Sequence, residues 1–243
     1  MPEHQLPGKV GLAERKTEVI LVALAFLGLA LLWLAFPQID LEVSASFYQG
    51  NGLWPALEDK PLQEAAYRYL PRVGQLFILV LFILWVMGFF KRFPAVQARR
   101  RWISYVLLAA LLGPILIVDV GLKGHFGRAR PNAVTEFAGD RQFTPAFVPA
   151  RQCDWNCSFV SGHVATAAFV MAFGWLGPAM RRRRWLMVSV FSAAGMGWVR
   201  LSVGAHFLSD VVFAWFFIYF SLWLSEWLFY RLRGENWMAG DAA

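Results

Sequence analysis

Charge is scarce in this chain. Only 16% of its 243 residues are Asp, Glu, Lys or Arg, against about 25% in an ordinary soluble domain. So little charge on so apolar a chain excludes intrinsic disorder and a charge-laced coiled coil. Cysteine is scarcer still, with two residues, which excludes a small disulfide scaffold. Internal repeats and low-complexity tracts are absent as well. What is there is apolar bulk: 58% of the residues are hydrophobic, including 22 Phe and 12 Trp. The net charge of +7 does not point to nucleic acid, because the basic residues flank apolar runs. One compact polytopic membrane domain remains.

A helix crosses the bilayer core with about 20 mostly apolar residues. Six runs meet or approach this: Val19 to Phe36, Val73 to Phe90, Trp102 to Val118, Val164 to Met180, Trp185 to Val199 and Phe207 to Leu224. The expected fold is all-α, a six-transmembrane-helix bundle. The first run ends in Phe36-Pro37-Gln38 with no small-residue cleavage site, so it reads as an anchor rather than a signal peptide. Lys and Arg in short loops stay cytoplasmic. That rule groups Lys9, Arg15 and Lys16, then Lys91, Arg92 and Arg99 to Arg101, then Arg181 to Arg184, and finally Arg231 and Arg233. Both termini are therefore expected in the cytoplasm. The expected parts are a cytoplasmic segment (1–18), a six-span catalytic domain (19–230) and a cytoplasmic tail (231–243).

The opposite side holds two long loops. Asp40 to Arg72 contains an expected interfacial helix, with Leu62, Ala66 and Tyr69 on one face and Pro61 and Pro71 at its ends. Gly124 to Phe159 is polar and carries both cysteines, Cys153 and Cys157. Their spacing leaves a bridge and two free thiols equally open.

Ionisable residues at span ends are costly and usually functional. Lys123, Arg130, Ser161, Gly162, His163, Arg200, His206 and Asp210 all fall at the extracytoplasmic ends of neighbouring spans. On a helix, His206 and Asp210 would occupy adjacent turns. The carboxylate would then take one imidazole N–H and leave the other nitrogen free to act as nucleophile or base. Singly, these residues have other readings: Lys123 pairs with Asp119 one turn before it, and Arg130 is a loop charge. Together they form an anion pocket suited to a phosphate, with Gly162 allowing close backbone approach. His163, His206 and Asp210 also match a zinc-ligand set, but three nearby cations oppose a dication. The absence of a carboxylate cluster argues against magnesium.

These residues fall into three ordered motifs. Lys123 is followed after six residues by Arg130-Pro131; next comes Val160-Ser161-Gly162-His163; last, Val199-Arg200 precedes His206 by five residues and Asp210 by nine. The pattern resembles the type 2 phosphatidic acid phosphatases, a superfamily that includes the vanadium haloperoxidases. The resemblance covers about Gly121 to Val212. Val160 and Val199 depart from it, standing where the family has Pro and Ser; the second removes a hydroxyl that would meet the phosphate.

The resemblance implies catalysis by His206 as nucleophile, His163 as proton donor and Asp210 as orienting carboxylate. It implies phosphate binding by Lys123, Arg130, Ser161, Gly162 and Arg200, and no cofactor or metal. It further implies a hydrolase of the bacterial lipid-phosphatase branch, multi-pass in the inner membrane, with its active site facing the periplasm. Lipid A-like substrates are ranked ahead of undecaprenyl diphosphate and phosphatidylglycerophosphate by a thin margin: Arg128, Arg141 and Arg151 either read a larger anionic headgroup or are solvated loop charges, and both readings stay open. The expected partners are the lipid phosphate and membrane lipids, not nucleic acid. A lipid-to-lipid phosphotransferase and a non-catalytic transport or lipid-binding protein are the alternatives.

Overall fold

The computed structural model describes residues 12–56 and 59–232. Lys9 and Arg233 lie outside the described residues, as do the side chains of Arg15 and Arg231. Among the described residues seven helices longer than a single turn follow in order: α1 (Leu12–Ala35), α2 (Gln38–Ala45), α3 (Pro61–Met87), α4 (Pro94–His125), α5 (Gly162–Trp175), α6 (Ala179–Ser202) and α7 (Leu208–Leu232). Among the described residues there is no strand, only an isolated bridge between Val134 and Arg141. The fold is all-α.

Proline sets several boundaries. Pro61 and Pro94 stand at the first helical positions of α3 and α4, where the missing N–H has no partner to lose. Pro37 separates α1 from α2, and Pro178 directly precedes α6. Within α4 the winding widens to a π-helical form from Leu111 to Leu122, a stretch that contains Pro114. Proline cannot donate the regular helical bond, and its ring crowds the preceding turn.

Among the described residues four helices are long and apolar enough to cross a membrane: α3, α4, and most of α1 and α7. The other two expected spans differ. The fourth closes at Trp175 and contains a 3₁₀ turn at Phe169–Met171. At about 21 Å it is short for a bilayer core of about 30 Å, and its Val164, Ala165, Ala168, Ala172 and Trp175 are buried by neighbours. The fifth, α6, has sufficient length but carries Arg181 to Arg184 in its first turns. The interfacial helix expected between Pro61 and Pro71 does not stand alone. It is the opening of α3, which runs through Pro71 to Met87.

The buried helix is α7, with 61% of its apolar window inside the bundle against 6% for α1 and α3. Phe213 of α7 meets Phe26 of α1 at 5.6 Å between ring centres and Phe147 of the long loop at 4.5 Å, both edge to face. Such pairs stabilise beyond their buried area. This matters in a bilayer, where lipid tails compete for every apolar contact and shape decides helix association. Close approach is the other device. A Cβ on Gly197 would collide with Val211 of α7, and one on Gly113 would fall 2.5 Å from Ser221 Oγ.

At the end of the bundle away from the motifs, Arg182 does more than mark topology. It is buried, binds Glu18 of α1 through Nε and Nη2 at 2.7–3.1 Å, and stacks 3.7 Å above Trp175. Tyr219 donates to the same carboxylate at 2.7 Å, and Trp175 Nε1 donates to the buried Glu226 at 2.8 Å.

The close α6–α7 contact gives a test. Gly197→Ala should destabilise the detergent-solubilised protein by about 1–3 kcal/mol through overpacking. Gly195→Ala, where a Cβ meets nothing within 4 Å, should be neutral or stabilising by up to about 1 kcal/mol. Thermal unfolding of the two variants side by side checks this.

Candidate active site

The motif residues come from four helix ends. Lys123 lies in the last turn of α4, His163 in the first turn of α5, Arg200 in the last turn of α6 and Asp210 in the first turn of α7. Arg130 is in the loop after α4, and His206 is in the short link between α6 and α7. The structure brings them together: His163 is within electrostatic reach of Arg200, His206, Lys123 and Arg130. Ser161 N–H donates to the Asp210 carbonyl at 3.1 Å, which ties the start of α5 to α7. A Cβ on Gly162 would lie 3.1 Å from Asp119 Oδ1 and 3.4 Å from Lys123 Nζ, so glycine lets the backbone approach these charges. Arg130 donates to the Asn156 carbonyl at 2.9 Å. Asn156 falls between Cys153 and Cys157, which are joined by a disulfide with 5.6 Å between their Cα atoms.

Two donors in this group are conspicuous. Ser161 Oγ and Arg200 Nε are buried, and among the described residues neither has a hydrogen-bond partner. Buried polar atoms normally find one. These two stand among Lys123, Arg130 and the two histidines.

The bond expected between His206 and Asp210 is replaced by another. Nδ1 of His206 donates to the Ser158 carbonyl at 2.8 Å, whereas the nearest Asp210 oxygen is 3.7 Å away. The reason is where the helix begins. Residue 206 precedes Leu208, the first residue of α7, so the side-by-side placement of positions four apart on a helix does not apply. Asp210 acts through Ser158 instead, accepting its hydroxyl at 2.5 Å as well as the Phe207 N–H at 2.8 Å. With its proton on Nδ1, His206 keeps Nε2 free. Burial pushes the His206 imidazole down to about 4 from 6.5, against the opposing pull of Asp210, so it is neutral at physiological pH.

Arg128 corrects a second expectation. It is fully buried and reads no headgroup. Nη1 donates to Asp210 at 2.6 Å and to Ser209 Oγ at 2.8 Å, Nη2 to Asp40 at 2.7 Å and Nε to the Thr144 carbonyl at 2.8 Å. Its guanidinium lies 4.3 Å from the Phe207 ring centre. Asp40, on α2, also accepts from Trp33 Nε1 and from the backbone N–H of Ser209. Arg141 is half exposed beside Asp140, and Arg151 is exposed.

Sequence reasoning missed Asp40, Ser158, Ser209 and Tyr67. Tyr67, on α3, stacks on His163 and lies under Arg200. Asp40 was the one with a signal, as a carboxylate immediately after an apolar span. The others look like ordinary loop and helix residues. Among the described residues no three His, Cys, Asp or Glu side chains gather as a metal site.

Removing one member of a buried ion pair strands the other and costs about 3–5 kcal/mol. Arg128→Met and Asp40→Ala should each lower thermal stability by that order, while Arg141→Ala should change it by less than about 0.5 kcal/mol. Melting curves of the purified variants measure this.

Comparison with known proteins agrees with the geometry. A lipid A 4'-phosphatase of Francisella tularensis subsp. novicida is 34% identical over 208 residues, covering 83% of this chain and 90% of that protein. A lipid A 4'-phosphatase of Rhizobium etli is 39% identical over 121 residues, 48% of this chain and 46% of that one. A lipid A 1-phosphatase of the same species is 35% identical over 112 residues, 46% of this chain and 44% of that one. No solved structure matches the chain. The PAP2 superfamily matches residues 101–234, a stretch holding every motif residue from Lys123 to Asp210, and the chain belongs to that superfamily.

Proposed function

We propose that the chain is a membrane-embedded, metal-independent lipid phosphate phosphatase that works through a phosphohistidine at His206. The observation that carries the reading is the pair of buried, unpartnered donors, Ser161 Oγ and Arg200 Nε, set beside a histidine whose Nε2 is free. A phosphoryl group satisfies both donors, and Lys123 and Arg130 add charge for its remaining oxygens.

Nε2 of His206 attacks phosphorus in line while the bond to the leaving oxygen breaks. Burial and the surrounding cations push the His163 imidazole down to about 3 from 6.5, so it is neutral in the free site and relays to the leaving oxygen the proton that a phosphate monoester monoanion brings in. Water, deprotonated by His163, then attacks the phosphohistidine and the P–N bond breaks; the inorganic phosphate leaves with the proton taken from water, which restores both histidines to their neutral forms. The Ser158 carbonyl and the Asp210 charge stabilise the His206 ring as it becomes cationic. Val199 supplies no hydroxyl to the anion, and Ser161 is placed to do so.

Residues 19–230 form the catalytic unit, with six membrane crossings, and the site faces the periplasm across the bacterial inner membrane. The opposite rim supports this arrangement. Glu18 near the start of α1, Arg182 of the basic run and, through Trp175, Glu226 near the end of α7 share one network, so the start of α1 and the end of α7 belong with the basic, cytoplasmic side. The substrate is a lipid phosphate of the lipid A type. The names of the relatives favour it, and so does a site at the span ends, where acyl chains stay in the bilayer.

Phosphate release from a panel of lipid phosphates and diphosphates tests the reading. His206→Ala should abolish release from every responsive lipid while leaving the protein folded, and EDTA should leave the unsubstituted protein at full rate. Retained turnover in the variant, or activity lost to EDTA and restored by zinc, contradicts it. The pH profile is a separate check. Protonation removes the nucleophile only near pH 4. Corrected for substrate ionisation, kcat/KM should therefore hold from about pH 7 to about pH 5 and fall below that. An acid limb centred at 6.5 would exclude this imidazole as the group that titrates.

A further inference from the structure

Tyr67 lies in α3, outside all three motifs and outside the segment that matches the superfamily. Its ring stacks on the His163 imidazole, with centres 4.9 Å apart and planes inclined by 16°. The Arg200 guanidinium lies 4.8 Å from the centre of the same ring. Arg200 is only 5% exposed, and among the described residues no carboxylate forms an ion pair with it. Tyr67 is therefore the partner that favours this buried cation, through its ring face and through its hydroxyl. A ring that merely filled space would touch aliphatic neighbours, whereas this one touches two polar groups of the site.

Nearby packing sets the spacing of the two helices that carry Tyr67 and His163. A Cβ on Gly74, two turns further along α3, would lie 3.2 Å from the Thr166 methyl of α5. Thr166 in turn donates to the Gly162 carbonyl at 3.0 Å. The α3–α5 distance is thus set beside the residue that precedes His163.

We infer that Tyr67 is a positioning residue for phosphoryl transfer: its ring fixes the plane of the His163 imidazole toward the leaving oxygen and holds Arg200 on the phosphoryl side. The inference rests on the proposed role of His163 as proton donor. A side chain with two free torsions delivers a proton poorly unless its plane is set. Tyr67 sets that plane without touching the reacting atoms.

The test uses two amphiphilic phosphomonoesters with the same acyl tail, one with an alkyl leaving oxygen and one with a 4-nitrophenyl leaving oxygen. Nitrophenolate departs without a proton. The full-length protein in nanodiscs should lose roughly tenfold or more in kcat/KM, which reports transfer to His206 and not the shared hydrolysis step, on the alkyl ester with Tyr67→Leu, but less than about threefold on the nitrophenyl ester. Tyr67→Phe, which keeps the stack but loses the hydroxyl beside Arg200, should keep the ratio of the two rates within about twofold of the parent's. His163→Ala, run in parallel, should show the same leaving-group dependence in larger measure. Equal losses on the two esters, no loss with Tyr67→Leu, or a Tyr67→Phe rate ratio shifted as far as that of Tyr67→Leu each overturn the inference. If His163→Ala shows the dependence and Tyr67→Leu does not, Tyr67 alone is refuted. If His163→Ala lacks it, the proton-donor role fails and the Tyr67 inference fails with it. A monodisperse elution profile confirms folding, and Tyr67→Gln takes the place of Tyr67→Leu should that variant misfold.

Discussion

The site depends on one carboxylate kept out of water. Asp210 is fully buried, which is costly for an ionised group unless donors surround it. Arg128, the Ser158 hydroxyl and the Phe207 N–H do so. Each also fixes something else. Phe207 N–H curls the link between α6 and α7 around Asp210, which holds the neighbouring His206 in place. Ser158 turns its hydroxyl to Asp210 and its carbonyl to His206, so one residue passes the position of the charge on to the tautomer of the ring. The free Nε2 is a consequence of satisfying a buried anion.

Arg128 extends this arrangement into the scaffold. Its two terminal nitrogens divide between Asp210 on α7 and Asp40 on α2, and Ser209 bonds to both Arg128 and Asp40. The short helix after α1 is thereby tied to the site by charge rather than by apolar contact. A second buried network, around Arg182 and Glu18, closes the other end of the bundle. Between the two the interior is aromatic and aliphatic, built around α7. The division follows from the solvent: charges are tolerated near the bilayer edges and in protein-lined interiors, and the hydrocarbon depth is left to shape-based packing.

The motif residues were legible because, away from the basic rim, few ionisable side chains occur at span ends, and those that do have one chemistry in common. Their supports were not. Ser158 looks like any loop serine, and Tyr67 like any aromatic near a membrane surface. Arg128, two residues before Arg130 in a basic stretch, invited the same reading as its neighbour, yet one is fully buried and the other is not. The i,i+4 spacing of His206 and Asp210 suggested a direct bond; the two groups do lie 3.7 Å apart, but the ring gives its Nδ1 proton to the nearer Ser158 carbonyl. Pro71 suggested a helix end, but α3 passes through it, because proline removes one bond and a long apolar helix keeps the rest.

Taken alone, the amino-acid order determined the membrane class, the all-α fold, the two differently charged rims and the residue types available for phosphoryl chemistry. Apolar run length, charge placement and motif spacing are local properties, and they survive without knowledge of contacts. Tertiary structure decided which arginine meets the substrate side and which neutralises Asp210. It also decided that a backbone carbonyl holds the catalytic candidate His206 and that an α3 aromatic backs His163. Those outcomes turn on partners 82 and 88 residues apart in the chain, as for Arg128 with Asp210 and Asp40. Only the packed bundle brings such distant groups within the 3 Å or so over which a hydrogen bond acts.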